Sequence, residues 1–211
     1  MKKKINNKKQ LEILLEQVPK HPNPKVELEQ YNTPSIIASD LLWNAKVFGD
    51  LEDKKVLDLA CGTGIFALGS SLIGAKFVNG FDIDKDSLNI GMDMASKFEL
   101  NNVKFHNCDL EKIDTLNEFK GDTLFQNPPF GSQKMGKKGI DTNFIDLAVN
   151  CADVVYSFHM ASTEEYIINY FLNLGCKVEN TFHYHFPLSK TYKFHTKESY
   201  NVDVVVIRAK T

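Results

Sequence analysis

The chain has 211 residues, 43% of them hydrophobic and 11% aromatic, enough to build a full core and too apolar for a disordered protein. Its four cysteines, Cys61, Cys108, Cys151 and Cys176, stand far apart, which excludes a disulfide framework or a cysteine-based zinc site and points to a reducing, cytoplasmic setting. No apolar run reaches membrane-spanning length, and the net charge of −2 hides a lysine-rich start (Lys2, Lys3, Lys4, Lys8, Lys9) ahead of an acidic body, so any nucleic-acid contact must be local.

That start is either a solvated end or an RNA-contacting arm. Leu11, Leu14, Leu15 and Val18 at helical spacing predict a short amphipathic helix over 8–18. After an extended Pro-rich stretch, Thr33 as N-cap and Pro34 at the first helical position predict a helix to about Val47, with Ile36, Ile37, Leu41 and Trp43 on its buried side. Residues 55–60 read as a strand, and Cys61-Gly62-Thr63-Gly64 as a tight turn into a helix ending near Gly74. Glycines there let a ligand approach the backbone, and the helix N-terminus offers free N–H groups. A second strand over 76–82 ends in Asp82, twenty positions after Gly62, where ribose hydroxyls are held in dinucleotide folds; Asp84 reads as the cap of the next helix.

Strands over 103–109 and 122–126 follow, so Asp58, Asp82, Asp109 and Asn127 all fall at or near the carboxyl ends of successive strands, where open α/β sheets bind ligands. A Gly- and Lys-rich loop carrying Lys134, Lys137 and Lys138 precedes a helix over 141–151. A strand over 154–160, a helix capped by Ser162 and running to Leu174, and two strands over 177–186 and 202–208 complete the chain. The last two are expected to pair antiparallel. The loop between them alternates aromatics and cations (Tyr192, Lys193, Phe194, His195, Lys197), a pattern that fits single-stranded RNA and equally an ordinary surface loop. His183, His185 and His195 lack acids or cysteines at ligand spacing, so no metal is expected.

The expected fold is therefore one α/β domain over 1–211. A seven-stranded, mostly parallel Rossmann-like sheet has its last strand antiparallel and helices on both faces, and residues 1–47 form a short helical extension.

Asn127-Pro128-Pro129-Phe130 at the end of the fourth strand suggests chemistry on a planar amine. Such a nitrogen is a poor nucleophile because its lone pair is delocalised. The Asn127 carboxamide oxygen and the Pro128 carbonyl can each accept one N–H and draw the nitrogen toward a tetrahedral shape. Two prolines fix φ and remove competing donors, and Phe130 offers a face for a base to stack on.

With these pieces placed, the chain resembles a class I S-adenosylmethionine-dependent methyltransferase, and more narrowly the methyltransferase-like protein 5 family of ribosomal RNA adenine N6-methyltransferases. The resemblance rests on residues 28–34, 58–64, 80–84, 127–131, 156–159 and 192–195. It implies that residues 1–47 close over the cofactor, Gln30 and Thr33 among them. It also implies that Ala60, Thr63 and Ile65 line the methionine and ribose portion within the Asp58–Gly64 segment, that Asp82 binds the ribose hydroxyls, and that Asp109 with Leu110 frames the adenine. It implies a ribosomal RNA substrate and a small zinc-containing activator protein that pairs with the sheet. Ala60 departs from the family, which usually has glycine there. Other readings stay open: a DNA adenine or protein glutamine methyltransferase, a dehydrogenase on Gly62, Gly64 and Ala67 alone, or a noncatalytic RNA-binding assembly subunit.

Overall fold

The computed structural model describes residues 5–21, 30–110, 119–129, 140–189 and 199–211. α1 (Lys8–Leu15) starts at Asn7, whose side-chain oxygen accepts the N–H of Gln10 at 2.9 Å, as an N-cap asparagine should. It buries Leu11 and Leu15, with Leu14 and Val18 packed beside them, and stops short of Val18.

α2 (Ser35–Val47) buries Ile37, Ala38, Leu41, Leu42 and Ala45, one continuous face at the helical period. Ile36, 60% exposed, falls off that phase, whereas half-buried Trp43 packs against the edge of the core, so the expected buried side holds for Ile37 and Leu41 and in part for Trp43. Thr33 does not cap this helix. Pro34 occupies the N-cap position without a side-chain bond, and the Thr33 hydroxyl is engaged elsewhere.

The remaining elements are β1 (Lys55–Leu59), α3 (Ile65–Leu72), β2 (Phe77–Asp82), α4 (Lys85–Lys97), β3 (Val103–Asn107), β4 (Gly121–Gln126), α5 (Ile140–Cys151), β5 (Ala152–Met160), α6 (Glu164–Asn173), β6 (Lys177–Ser189) and β7 (Ser199–Lys210). Ser162 does not cap α6. It lies inside a 3-10 turn over Ala161–Thr163, and Thr163 takes the N-cap position while its hydroxyl donates to the Met160 carbonyl at 2.8 Å.

The seven strands run in the order β3-β2-β1-β4-β5-β7-β6. β1 to β5 pair parallel, and β7 lies antiparallel between β5 and β6. This is the sheet the sequence predicts. Its central strands are apolar on both faces because helices cover both.

One row of side chains crosses the sheet: Phe105, Gly80, Asp58, Phe125, Tyr156, Arg208 and Asn180 are successive register partners. They face the core formed with α1, α2 and α3, where Phe125 stacks on Tyr156 at 4.9 Å and on Phe66 at 5.6 Å. The Arg208 guanidinium closes the row. It donates to both oxygens of buried Asp50 at 2.8 and 3.1 Å, and the Tyr156 hydroxyl donates to the same carboxylate at 2.6 Å. A buried charge pair is tolerable only when so fully bonded; here it ties the segment before β1 to the sheet. On the other face, Leu57, Leu59, Leu124, Val155, Val205 and Ile207 pack under Ile145 and Ala148 of α5 and Ile167 and Phe171 of α6.

Strand order reverses between β1 and β4, which places a crevice outside their carboxyl ends. Leu59 and Gln126 are register partners at those ends, so the turn after β1 and the Asn127 segment leave the sheet side by side.

Candidate functional site

Three residues of the turn after β1 adopt positive φ: Ala60 (53°), Gly62 (54°) and Gly64 (83°). Only glycine takes that conformation without strain, so the Ala60 methyl group is held there at a cost. A Cβ on Gly62 would meet nothing within 4 Å, so the turn presents its backbone to open space there. Gly64 is the N-cap of α3 and supplies no side-chain oxygen. Asp58, from the body of β1, takes over that task, accepting the Ala67 N–H at 2.8 Å. Burial pushes the Asp58 carboxyl up to about 8, with the Ala67 bond opposing and the charge of Asp82 adding to the rise. Thr63 is buried and Ile65 half-buried beside it.

Asp82 closes the turn from the neighbouring strand. Its Oδ2 accepts the Gly62 N–H at 2.7 Å and its Oδ1 the Asp84 N–H at 2.8 Å. Burial raises its carboxyl pKa against the effect of those bonds. Each carboxylate oxygen keeps a further lone pair. A glycine turn with no side chain in the way at Gly62, beside a carboxylate with acceptor capacity left, fits a nucleoside-bearing ligand such as S-adenosylmethionine.

Asp84 stands at the N-cap of α4, yet its side chain makes no capping bond. Its Oδ2 instead accepts the Gln30 amide at 2.7 Å and the Ser87 hydroxyl at 3.1 Å, and lies 2.7 Å from Nε2 of buried His21. Gln30 is thereby anchored at the end of β2. Asp109 and Leu110 follow β3, and Leu110 is buried in the second core cluster.

Asn127 sits half-buried directly after β4, with Pro128 buried and Pro129 half-buried. Its Nδ2 donates to the Thr33 hydroxyl oxygen at 3.1 Å across 94 residues of sequence. The structure thus brings together two pairs that the sequence kept apart, Gln30 with Asp84 and Thr33 with Asn127. Beneath Asn127 lies a buried polar chain the sequence reading passed over. Gln126 donates to the Ser157 hydroxyl at 2.8 Å, and Ser157 meets His159 Nε2 at 2.7 Å. Burial lowers the His159 pKa to about 3, so the ring is neutral. Polar residues alternating in an otherwise apolar strand were the available signal. Phe130, Lys134, Lys137, Lys138, Tyr192, Lys193, Phe194, His195 and Lys197 lie outside the described residues. Among the described residues, no group of three or more His, Cys, Asp or Glu is arranged to hold a metal, and no helix is long and apolar enough to cross a membrane.

A family described as "Methyltransferase domain" matches residues 50–174, which contain the whole turn, Asp82 and Asn127. Uncharacterized protein MJ0284 of Methanocaldococcus jannaschii is 36% identical over 209 residues, covering 95% of this chain and 93% of its own. The Danio rerio protein named rRNA N(6)-adenosine-methyltransferase METTL5 is 37% identical over 202 residues, covering 95% of this chain and 97% of its own. The crystal structure of PH1948 from Pyrococcus horikoshii superimposes with a TM-score of 0.86 at 32% identity, covering 98% of both chains. End-to-end similarity of that order, on a sheet and turn of this geometry, shows that the chain belongs to the METTL5 family of methyltransferases.

Proposed function

We propose that this chain transfers the methyl group of S-adenosylmethionine to N6 of an adenosine in small-subunit ribosomal RNA. The observation that carries the reading is the position of Asn127: it leaves β4 beside the turn after β1, and its amide nitrogen is bonded to Thr33. The carboxamide oxygen is then the atom left to accept an N–H of the target amine. The names of the Danio rerio and Drosophila melanogaster relatives, both rRNA N(6)-adenosine-methyltransferases, support the choice of substrate.

When bound, S-adenosylmethionine supplies an electrophilic methyl group on its sulfonium. The residues proposed to hold it are Gln30, Thr33, Asp58, Ala60, Gly62, Thr63, Gly64, Ile65, Asp82, Asp109 and Leu110, with Asp82 accepting ribose hydroxyls. The extension over 1–47 closes that site, which the Gln30 bond to Asp84 supports. At the other end of the crevice, the Asn127 oxygen and the Pro128 carbonyl accept the two N–H groups of the target. Both bonds favour the pyramidal nitrogen, whose lone pair is then free to attack. The proton leaves to solvent after the methyl arrives, so no general base is required. Phe130 provides the stacking face.

The loops bearing Lys134, Lys137, Lys138, Tyr192, Lys193, Phe194, His195 and Lys197 are assigned to the RNA backbone and bases. A small zinc-containing activator protein joins the chain as a heterodimer by pairing with its sheet. Exposed Ile83 after β2 and Met92 on α4 supply apolar surface for it. The reduced thiols of Cys61, Cys108, Cys151 and Cys176 and a ribosomal substrate agree with a cytoplasmic location.

The test is incubation with labelled S-adenosylmethionine and unmodified small-subunit ribosomal RNA, with and without the activator, followed by nucleoside analysis. Label in N6-methyladenosine is the expected result. Cofactor binding with no labelled RNA under either condition overturns the substrate assignment.

A further inference from the structure

The hydrogen bond between Thr33 and Asn127 points beyond a part in cofactor closure. Thr33 is buried, its hydroxyl does not cap α2, and its oxygen is used by the Asn127 amide at 3.1 Å. The segment that carries it is fastened on both sides. Gln30 donates to Asp84 Oδ2 at 2.7 Å, Asn32 Oδ1 accepts the His21 N–H at 3.4 Å, and Pro34 enters α2 with φ −60°. Thr33 therefore meets Asn127 from a braced position.

A carboxamide can rotate about its last bond and exchange its oxygen with its NH2 group. In the wrong orientation Asn127 presents donors to a target amine that is itself a donor, and the contact is lost. We propose that Thr33 is a positioning residue for methyl transfer: its hydroxyl holds the NH2 group of Asn127, so that the amide oxygen faces the target nitrogen. The proposal rests on the reading that Asn127 accepts an N–H of the target. Residues 30–33 then connect the end of β2, where Asp82 and Asp84 lie, with the end of β4, where the target is held. Seating of the N-terminal segment and alignment of the target amine become one event.

The test uses Thr33→Val, which keeps the shape and removes the hydroxyl, and Thr33→Ser, which restores it. Three quantities are measured on each: the single-turnover methylation rate at saturating cofactor, the cofactor Kd by calorimetry, and the side-chain 15N–1H2 signal of Asn127, assigned by its loss in Asn127→Asp. Thr33→Val is expected to slow transfer roughly 10- to 100-fold at saturating cofactor, the size of a misplaced reacting group, whatever the change in Kd, and the Asn127 signal shifts. Thr33→Ser should return both rate and signal toward wild type. If the valine variant loses the wild-type urea midpoint, Thr33→Ala carries the same measurements.

A wild-type rate in Thr33→Val overturns the proposal. So does a rate loss that extra cofactor fully recovers, because Thr33 would then act on the cofactor alone. If the wild-type protein methylates no adenosine, the functional reading fails separately. The Asn127 signal then decides the contact by itself, and a signal unmoved by Thr33→Val refutes it.

Discussion

The Asp58 carboxylate, from β1, accepts the backbone N–H of Ala67, the third residue of α3, at 2.8 Å. It replaces the cap that Gly64 has no side chain to provide, and it locks the angle at which the glycine turn leaves the sheet. The arrangement leaves a carboxyl that is 1% exposed and raised to about 8 by burial.

That rise sets a pH dependence of stability in the cofactor-free protein. Between the unfolded value of roughly 4 and the folded value of about 8, the folded state binds the proton and the unfolded state does not. Stability is therefore greatest on the acid side of this window and falls as pH rises through it, with a limiting slope of about 1.4 kcal/mol per pH unit for one proton. Asp82, raised by burial as well, contributes with the same sign. Asp58→Asn keeps an oxygen for the Ala67 N–H and removes the titration, so its urea-unfolding free energy should vary less steeply between pH 5 and pH 8. Equal slopes in the two proteins would refute the assignment.

A second expectation concerns the row of side chains that crosses the sheet. A Cβ on Gly80 would come within 2.9 Å of the Phe105 ring and 3.0 Å of Cys61 Sγ, so the ring fills the space that the missing side chain leaves. Gly80→Ala should lower stability by about 1–3 kcal/mol as an overpacked core substitution. Phe105→Leu should recover part of that loss in the double variant, because it removes the clashing atoms. Additive effects in the cycle would show that the two positions do not compete for space.

Ala60 makes the opposite prediction. At φ 53° its methyl group is strained, and Ala60→Gly removes the strain at the cost of a more flexible unfolded chain. The balance should favour the glycine variant by roughly 0.5–1 kcal/mol in urea unfolding. A lower midpoint would mean that the methyl group makes contacts worth more than the strain.

Much of this was readable from residue order alone. The apolar Val56, Leu57 and Leu59 mark β1, which ends one residue before the expected bound at Ala60; the Gly62 and Gly64 turn can sit only where backbone must bend tightly, and Asn127 directly follows a strand. Those signals are local, and they located the crevice. The errors came where a local signal competed with a distant partner. Thr33 before Pro34 reads as a cap, but Asn127, 94 residues away, takes its hydroxyl. Asp84 reads as a cap, but Gln30 and Ser87 use its oxygen and His21 adjoins it. Ile36 is apolar yet exposed, whereas the helical phase selects the smaller Ala38 and Ala45. The pairing of Arg208 with Asp50 spans 158 residues and depends on strand register, which no single sequence displays.

The last prediction concerns Asn127 itself. Two of its groups have separate tasks in the proposed reaction: the NH2 group bonds Thr33, and the oxygen accepts an N–H of the target amine. Asn127→Ala removes both and should lower the single-turnover rate by at least 100-fold, the effect of deleting one preorganised polar contact at a reacting centre. Cofactor affinity should change by less than about threefold, since Asp82, Gln30 and the glycine turn are untouched. Asn127→Asp keeps the size and an acceptor oxygen but loses the N–H that reaches Thr33. A carboxylate offers an acceptor in either orientation and can take the Thr33 hydroxyl proton, so this variant should be clearly faster than alanine if the acceptor is what the target needs, and as slow as alanine if the added negative charge or the lost N–H displaces the target. Measured together, rate and cofactor Kd separate the two cases, and substantial transfer by Asn127→Ala would remove Asn127 from the reaction altogether.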